Sequence, residues 1–417
     1  MPVVISHPTG NEFFRSAAGG LYDAGLLQAL YTSIACFPGS PLYNAGSLKM
    51  FGDVRRRSLA SRFKPVTHTY PLKEAFRLLA LKIGNGKLAR HETGIFSMDA
   101  VYAGIDKYVA GKLEKEKQKG ASAIYAYEDG ALYSFEKAAK IGLKCFYDLP
   151  IGYWKAMHKI LEEEKGKNPE WAATLGGLKD SVQKLERKDK EIALADMIIV
   201  ASTFTLQTLM QYNDKLPPVR VIPYGFPPVA EKEYKMFSNN TKLRLLFVGG
   251  LSQRKGLSYL FESVNGLESH VSLTVVGQGN TDCKPLKEKL LQHRWITSVP
   301  HNKILQLMRE HDVLVFPSLF EGFGQVITEA MSQGTPVITT DRTIGPDIIK
   351  NRENGWIVKS GSAEAIKQVV EELLMHPKQI AARGEQAIAT AAKRPWTEYG
   401  NDLVKAITEI KMPDKVF

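Results

Sequence analysis

The stretch from Val313 to Gly355 limits the possible folds more than any other part of the chain. Val313-Leu314-Val315-Phe316 is short, apolar and rich in branched side chains, and Pro317 ends it. Such a run predicts a strand buried on both faces, as strands of parallel sheets are. Ser318 then opens a turn in which Gly322 and Gly324 let a ligand approach the backbone closely. From about Gln325 the pattern predicts a helix whose free N–H groups point back at the turn and attract negative charge. Glu321 in the turn and Glu329 about one helical turn inside place two carboxylates on the same segment. Pyrophosphate oxygens are bound well by N–H donors at a helix start, and sugar or ribose hydroxyls by carboxylates.

The same strand–turn–helix unit recurs along the chain. In the second half, Arg244 to Val248 predicts a strand, followed by the basic turn Gly249-Gly250-Leu251-Ser252-Gln253-Arg254-Lys255-Gly256 and a helix from Leu257 to Val264. Val271 to Val276 is the next strand and ends in Gly277-Gln278-Gly279; Ile296-Thr297-Ser298-Val299 is a short strand before a helix over 302–310. In the first half, Pro2 to His7 predicts a strand, followed by the turn Pro8-Thr9-Gly10-Asn11 and a helix from Phe13 to Leu30. A loop that leaves the first strand and opens a helix is where doubly wound domains bind ligands, which makes His7, Gly10 and Asn11 site candidates. Ala123 to Tyr127 is a further strand, leading to Glu128-Asp129-Gly130.

At 417 residues the chain exceeds one ordinary core. The alternation therefore predicts an α/β protein of two Rossmann-like, doubly wound domains facing a cleft. We place them at 1–228 and 229–395, with a linker around Ala230 to Lys242 and a C-terminal helix and tail over 396–417. The start of the chain already reads as a strand, so no signal peptide is expected, and the apolar run Ile192 to Val200 is too short to span a membrane. Three scattered cysteines without metal-ligand spacing fit a reducing, cytoplasmic setting.

The net charge of +11 is uneven. Between Lys49 and Glu92, eleven basic residues stand against Asp53, Glu74 and Glu92, a net of +8. Leu72, Ala75, Phe76, Leu79, Ala80 and Ile83 recur there at helical spacing beside Lys73, Arg77 and Lys82. A basic amphipathic helix of this kind suits either packing on a sheet with a solvated face or peripheral contact with an anionic membrane. No aromatic platform or motif supports nucleic-acid binding.

Phe316-Pro317-Ser318, Glu-x7-Glu spanning Glu321 and Glu329, and Gly334-Thr335-Pro336-Val337 together resemble the donor site of retaining glycosyltransferases of family 4, which have the GT-B fold. The resemblance covers almost the whole chain and is strongest from Phe247 to Val358. It implies transfer of a sugar from a nucleotide-diphosphate sugar to a glycan, lipid-linked or small-molecule acceptor, with retention of anomeric configuration, as in polysaccharide biosynthesis. By resemblance, Lys255 and Arg254 hold the donor pyrophosphate from the loop containing Gly250. Gly277 ends the second donor-domain strand, and Val299 lies where the base is held. Glu321 lies beside the sugar, Gly322, Phe323, Gly324 and Gln325 bind the donor, and Glu329 binds the ribose. Gly250 stands where many relatives carry an arginine. Tyr127 takes the place of the usual histidine of the first domain, so Tyr127, Glu128 and Asp129 all remain open as the groups that position the sugar. No Asp-x-Asp sequence occurs, so neither a metal nor another cofactor is expected. Other readings of the same pattern are a GT-B phosphorylase or epimerase, and a non-catalytic glycan- or nucleotide-binding protein.

Overall fold

The computed structural model describes residues 1–46, 52–230, 242–279 and 282–409. Most of the expected linker, Lys49 and the tail beyond 409 therefore lie outside the described residues.

Two parallel sheets organise the chain. The first contains β1 (Val3–Ser6), β2 (Leu27–Thr32), β3 (Thr67–Thr69), β4 (Ala123–Tyr127), β5 (Lys144–Leu149), β6 (Met197–Val200) and β7 (Val219–Val221) in the order β3-β2-β1-β4-β5-β6-β7. The second contains β8 (Leu243–Val248), β9 (Val271–Val276), β10 (Arg294–Ile296), β11 (Val313–Phe316), β12 (Val337–Thr340) and β13 (Trp356–Val358), ordered β10-β9-β8-β11-β12-β13. In each sheet the strand order reverses beside the first strand of the half, β1 or β8, and ligands of doubly wound sheets bind outside such switch points. The central strands β1, β4 and β11 are buried along their whole length. That explains why they read as unbroken apolar runs.

The carboxyl ends of the two sheets face each other. The turn after β11 packs on Pro150 and Ile151, which follow β5, and the loop after β8 bonds to Thr174 of the first half. The helix Trp396–Thr408 crosses back onto Glu12–Asp23. There Gly20 and Gly400 pass so closely that a methyl group on Gly20 would meet the Gly400 carbonyl at 2.5 Å. Tyr399 of this helix also reaches Asp148 at the end of β5.

Three expectations are corrected. The first helix stops at Asp23, and Leu27 to Leu30, read as its continuation, belong to strand β2; the chain reverses at Ala24-Gly25, where Gly25 has φ of +68°. Val299 is not in a strand: β10 ends at Ile296, and the residues after it form the approach to the helix His301–Glu310. Arg57, counted in the basic segment, is buried against Glu74, which Arg77 also bonds, so one carboxylate compensates both cations.

Candidate active site

The loop after β8 is fixed from both sides. Ser252 Oγ donates to the Thr174 carbonyl at 2.7 Å, and Gln253 Nε2 donates to Glu164 at 2.7 Å. Gly256, at φ +72°, lies so close to β11 that a methyl group would sit 2.1 Å from the Pro317 carbonyl oxygen. Glycine there lets the loop lie against the end of β11, and Leu319 N–H donates to the Arg254 carbonyl at 2.8 Å.

This contact brings together residues that are far apart in sequence. Arg254 Nη1 donates to the Phe320 carbonyl at 2.6 Å and lies 3.3 Å from Glu321 Oε2. Lys255 Nζ contacts the same carboxylate oxygen and sits 4.9 Å above the Phe316 ring. Burial presses the Arg254 and Lys255 pKa values down, and for Lys255 the neighbouring Arg254 charge adds to it. A carboxylate as close as Glu321 favours the charged form of Lys255 against that burial. Two basic side chains thus share one carboxylate in a largely desolvated place.

The rest of the turn is clamped to the first half. The Gly322 carbonyl accepts from Ser202 Oγ at 2.6 Å and Thr205 Oγ1 at 2.9 Å, and a methyl group on Gly322 would lie 2.0 Å from the Pro150 carbonyl. Phe323 packs on Tyr224 with ring centroids 4.8 Å apart. Gly324 caps the helix Gln325–Ser332 in a left-handed conformation, so Gln325 is its first residue. One turn in, Glu329 Oε1 lies 3.0 Å from His301 Nε2 and raises the imidazole pKa. Gly277 donates its N–H to the Ile296 carbonyl at 2.9 Å, and its carbonyl accepts from Trp295 at 3.0 Å. Gly250 has open space around it, and Val299 is half-buried on the way to His301.

Across the cleft, His7 is buried, and its Nδ1 accepts from the N–H groups of Thr9 and Gly10, both at 3.1 Å. Burial lowers its pKa to about 3, so the ring is neutral and braces the turn. Asn11 Oδ1 caps the following helix by accepting from Phe14 N–H at 3.1 Å. Tyr127 is buried edge-on to His7, with centroids 4.7 Å apart. Asp129, at φ +70°, accepts from Arg187 at 2.6 Å and donates its N–H to Glu191 at 2.9 Å. Glu128 lies 3.4 Å from Lys188, and burial raises its pKa to about 7.

A cavity of about 440 Å³ links the halves, lined among others by Glu128, Asp129, Trp154, Lys184, Lys188 and Arg254. Of the candidates it brings together Glu128 and Asp129 with Arg254, whereas Tyr127, Lys255, Glu321, Glu329, His7 and Asn11 are not among its lining residues. Trp154, Lys184 and Lys188 were missed by the sequence reading. Asp180, Lys184 and Lys188 recur at four-residue spacing, which marks one helix face but not what that face meets. His301, which bonds Glu329, carried no signal beyond its place at a helix start.

Residues 230–390 match the family described as Glycosyl transferases group 1, less than half of the chain. The capsular polysaccharide biosynthesis glycosyltransferase CapM of Staphylococcus aureus is 32% identical over 34% of this chain and 39% of its own length. The matches span between 35% and 39% of several such curated relatives, so the chain spans about two fifths of their length. Sucrose-phosphate synthase from Thermosynechococcus elongatus superposes with a TM-score of 0.65 at 16% identity, covering 98% of this chain and 99% of that one. Anabaena HepE, in a complex with UDP-glucose, gives 0.60 at 15% identity over 98% and 100%. The architecture is that of these structures: two facing parallel-sheet, Rossmann-like domains in the GT-B arrangement.

Proposed function

We propose that the chain is a glycosyltransferase that moves a sugar from a nucleotide-diphosphate donor, held by the second half, to a glycan or lipid-linked acceptor that reaches it through the cleft. The observation that carries this reading is the Arg254–Lys255–Glu321 cluster, two partly buried cations against one carboxylate at the end of a strand. An anion completes its charge, and a departing diphosphate is the anion whose charge grows as the glycosidic bond breaks. The similarity of residues 230–390 to group 1 glycosyl transferases, and the UDP-glucose in the HepE complex, support the same reading.

In the reaction proposed, the bond from the anomeric carbon to the diphosphate oxygen breaks through an oxocarbenium-like transition state. Arg254 and Lys255 take up the developing charge. The acceptor hydroxyl bonds to the same face of the anomeric carbon and its proton passes to a phosphate oxygen, so configuration is retained. Glu329 accepts from the ribose hydroxyls, and Glu128 and Asp129 border the acceptor side of the cavity. No divalent metal takes part, since the two basic side chains do the work of charge stabilisation.

The test is incubation with a panel of nucleotide-diphosphate sugars and glycan or lipid acceptors, following release of the nucleoside diphosphate and the anomeric proton of the product. Acceptor-dependent release with an unchanged anomer is expected. No release from any donor, or an inverted product, would overturn the reading.

A further inference from the structure

The helix Leu72–Lys82 is turned inside out. Its inner side carries Ala80 and Glu74, which is wholly buried between Arg57 and Arg77. Its outer side carries Leu72, Phe76, Leu79 and, just past its end, Ile83, which are 60%, 46%, 52% and 65% exposed. Steps of four, three and four residues set these side chains in one stripe. Phe96 stacks on Phe76 with centroids 5.2 Å apart and carries the apolar surface on to Ile95 and Met98, both exposed. A helix lying on a domain ordinarily buries such a stripe. Left outside and contiguous, it marks a surface that meets something else.

The flanks say what. From Ala75 to Arg90 the chain has four basic residues and no acidic one, and Lys82, Lys87 and Arg90 are exposed. A second copy docking by a two-fold axis would set this basic rim against itself. An anionic bilayer offers both complements at once, an apolar interior for the stripe and negative headgroups for the rim. We propose that this face docks the chain on an anionic lipid surface, with Phe76, Leu79 and Ile83 in the interface and Lys82, Lys87 and Arg90 on headgroups.

The contact proposed is peripheral, and no helix among the described residues is long and apolar enough to cross a membrane. It also lies close to the cleft. The helix rests on Met98–Ala110, where Lys73 packs against Gly104. That second helix sends Asp99 to Lys184, which lines the cavity, at 3.0 Å. Docking needs no donor and stands apart from the transfer reading.

The test is co-sedimentation of the full chain with neutral phosphatidylcholine vesicles and with vesicles of equal parts phosphatidylcholine and phosphatidylglycerol. Binding to the anionic vesicles is expected, roughly 10-fold or more above the neutral ones, and lost as salt rises from ~0.1 M to ~1 M. Phe76→Ser with Leu79→Ser and Ile83→Ser, and separately Lys82→Ser with Lys87→Ser and Arg90→Ser, should each weaken it roughly 10-fold or more. Each triple variant should stay folded by circular dichroism, although the apolar one gives up the stack of Phe76 on Phe96. No sedimentation with either vesicle, equal sedimentation with both, or wild-type binding by either triple variant would overturn the proposal. So would a concentration-dependent dimer abolished by the apolar variant, which assigns the face to a second copy.

Discussion

Replacing Asp148 with Asn should flatten the loss of stability toward alkaline pH. Asp148 is buried at the end of β5, bonded by Tyr125 Oη at 2.5 Å and approached by Tyr399 Oη at 3.5 Å, so it sits where the C-terminal helix meets the first sheet. Burial raises its pKa from the ordinary 3.8 to about 7, against the two tyrosine hydrogen bonds, which favour the charged form. The folded state therefore holds this proton more tightly than the unfolded chain. The stabilisation is complete below pH 3.8 and is lost as pH climbs to about 7. At about 1.4 kcal/mol per pH unit, the whole effect is roughly 4 kcal/mol, of which roughly 3 kcal/mol falls between pH 5 and 8. Asn keeps the acceptor oxygen and cannot ionise. Urea unfolding at pH 5 and pH 8 should show Asp148→Asn losing roughly 3 kcal/mol less than wild type across that interval. Glu128, raised in the same direction, is common to both proteins and cancels in the comparison. Identical pH slopes for the two proteins would refute the reasoning.

Glu329→Gln should weaken binding of the bare nucleoside diphosphate by about 1–2 kcal/mol, whereas Glu321→Gln should leave it unchanged or tighter and depress transfer, because Glu321 offsets Arg254 and Lys255; equal weakening in calorimetry would contradict this division. Transfer should persist in chelator. His91, Glu92 and Asp180 lie close enough to share a cation, but Lys184 is 3.1 Å from Asp180, and activity lost in chelator and restored by magnesium or manganese would count against a metal-free reaction. Gly256→Ala should cost about 2–4 kcal/mol, from a left-handed backbone and from contact with the Pro317 carbonyl, read as a lower denaturant midpoint; an unchanged midpoint would show that the β8 loop is not held as described.

The strands were legible because buried parallel strands appear in the sequence as short, mostly apolar runs ended by proline or glycine. This holds for Val313–Phe316, ended by Pro317, and for Leu243–Val248, ended by Gly249. The start of the helix Gln325–Ser332 was legible from Gly322 and Gly324. The first helix was overrun because Leu26, Leu27 and Leu30 continue its spacing, while the one signal against it is Gly25. Long-range pairing was not legible at all. Glu321 meets Arg254 and Lys255, and Asp129 meets Arg187, across more than fifty residues, and nothing local encodes those meetings. The outward stripe of 72–83 was visible as a pattern. Its direction depended on Glu74 finding Arg57, which only the fold brings together.

The central claim, that Arg254 and Lys255 hold the donor diphosphate, is tested most directly by calorimetric titration in the presence of chelator. Uridine, guanosine and adenosine diphosphates would each be compared with the matching monophosphate. One diphosphate should bind at least roughly 10-fold more tightly than its monophosphate, since each charge-assisted phosphate contact is worth about 1.5–3 kcal/mol. Arg254→Ala with Lys255→Ala should then bind diphosphate and monophosphate alike, with monophosphate affinity kept and the fold intact. Equal binding of both nucleotides by the wild type, or a diphosphate preference that survives in the double variant, would contradict the account.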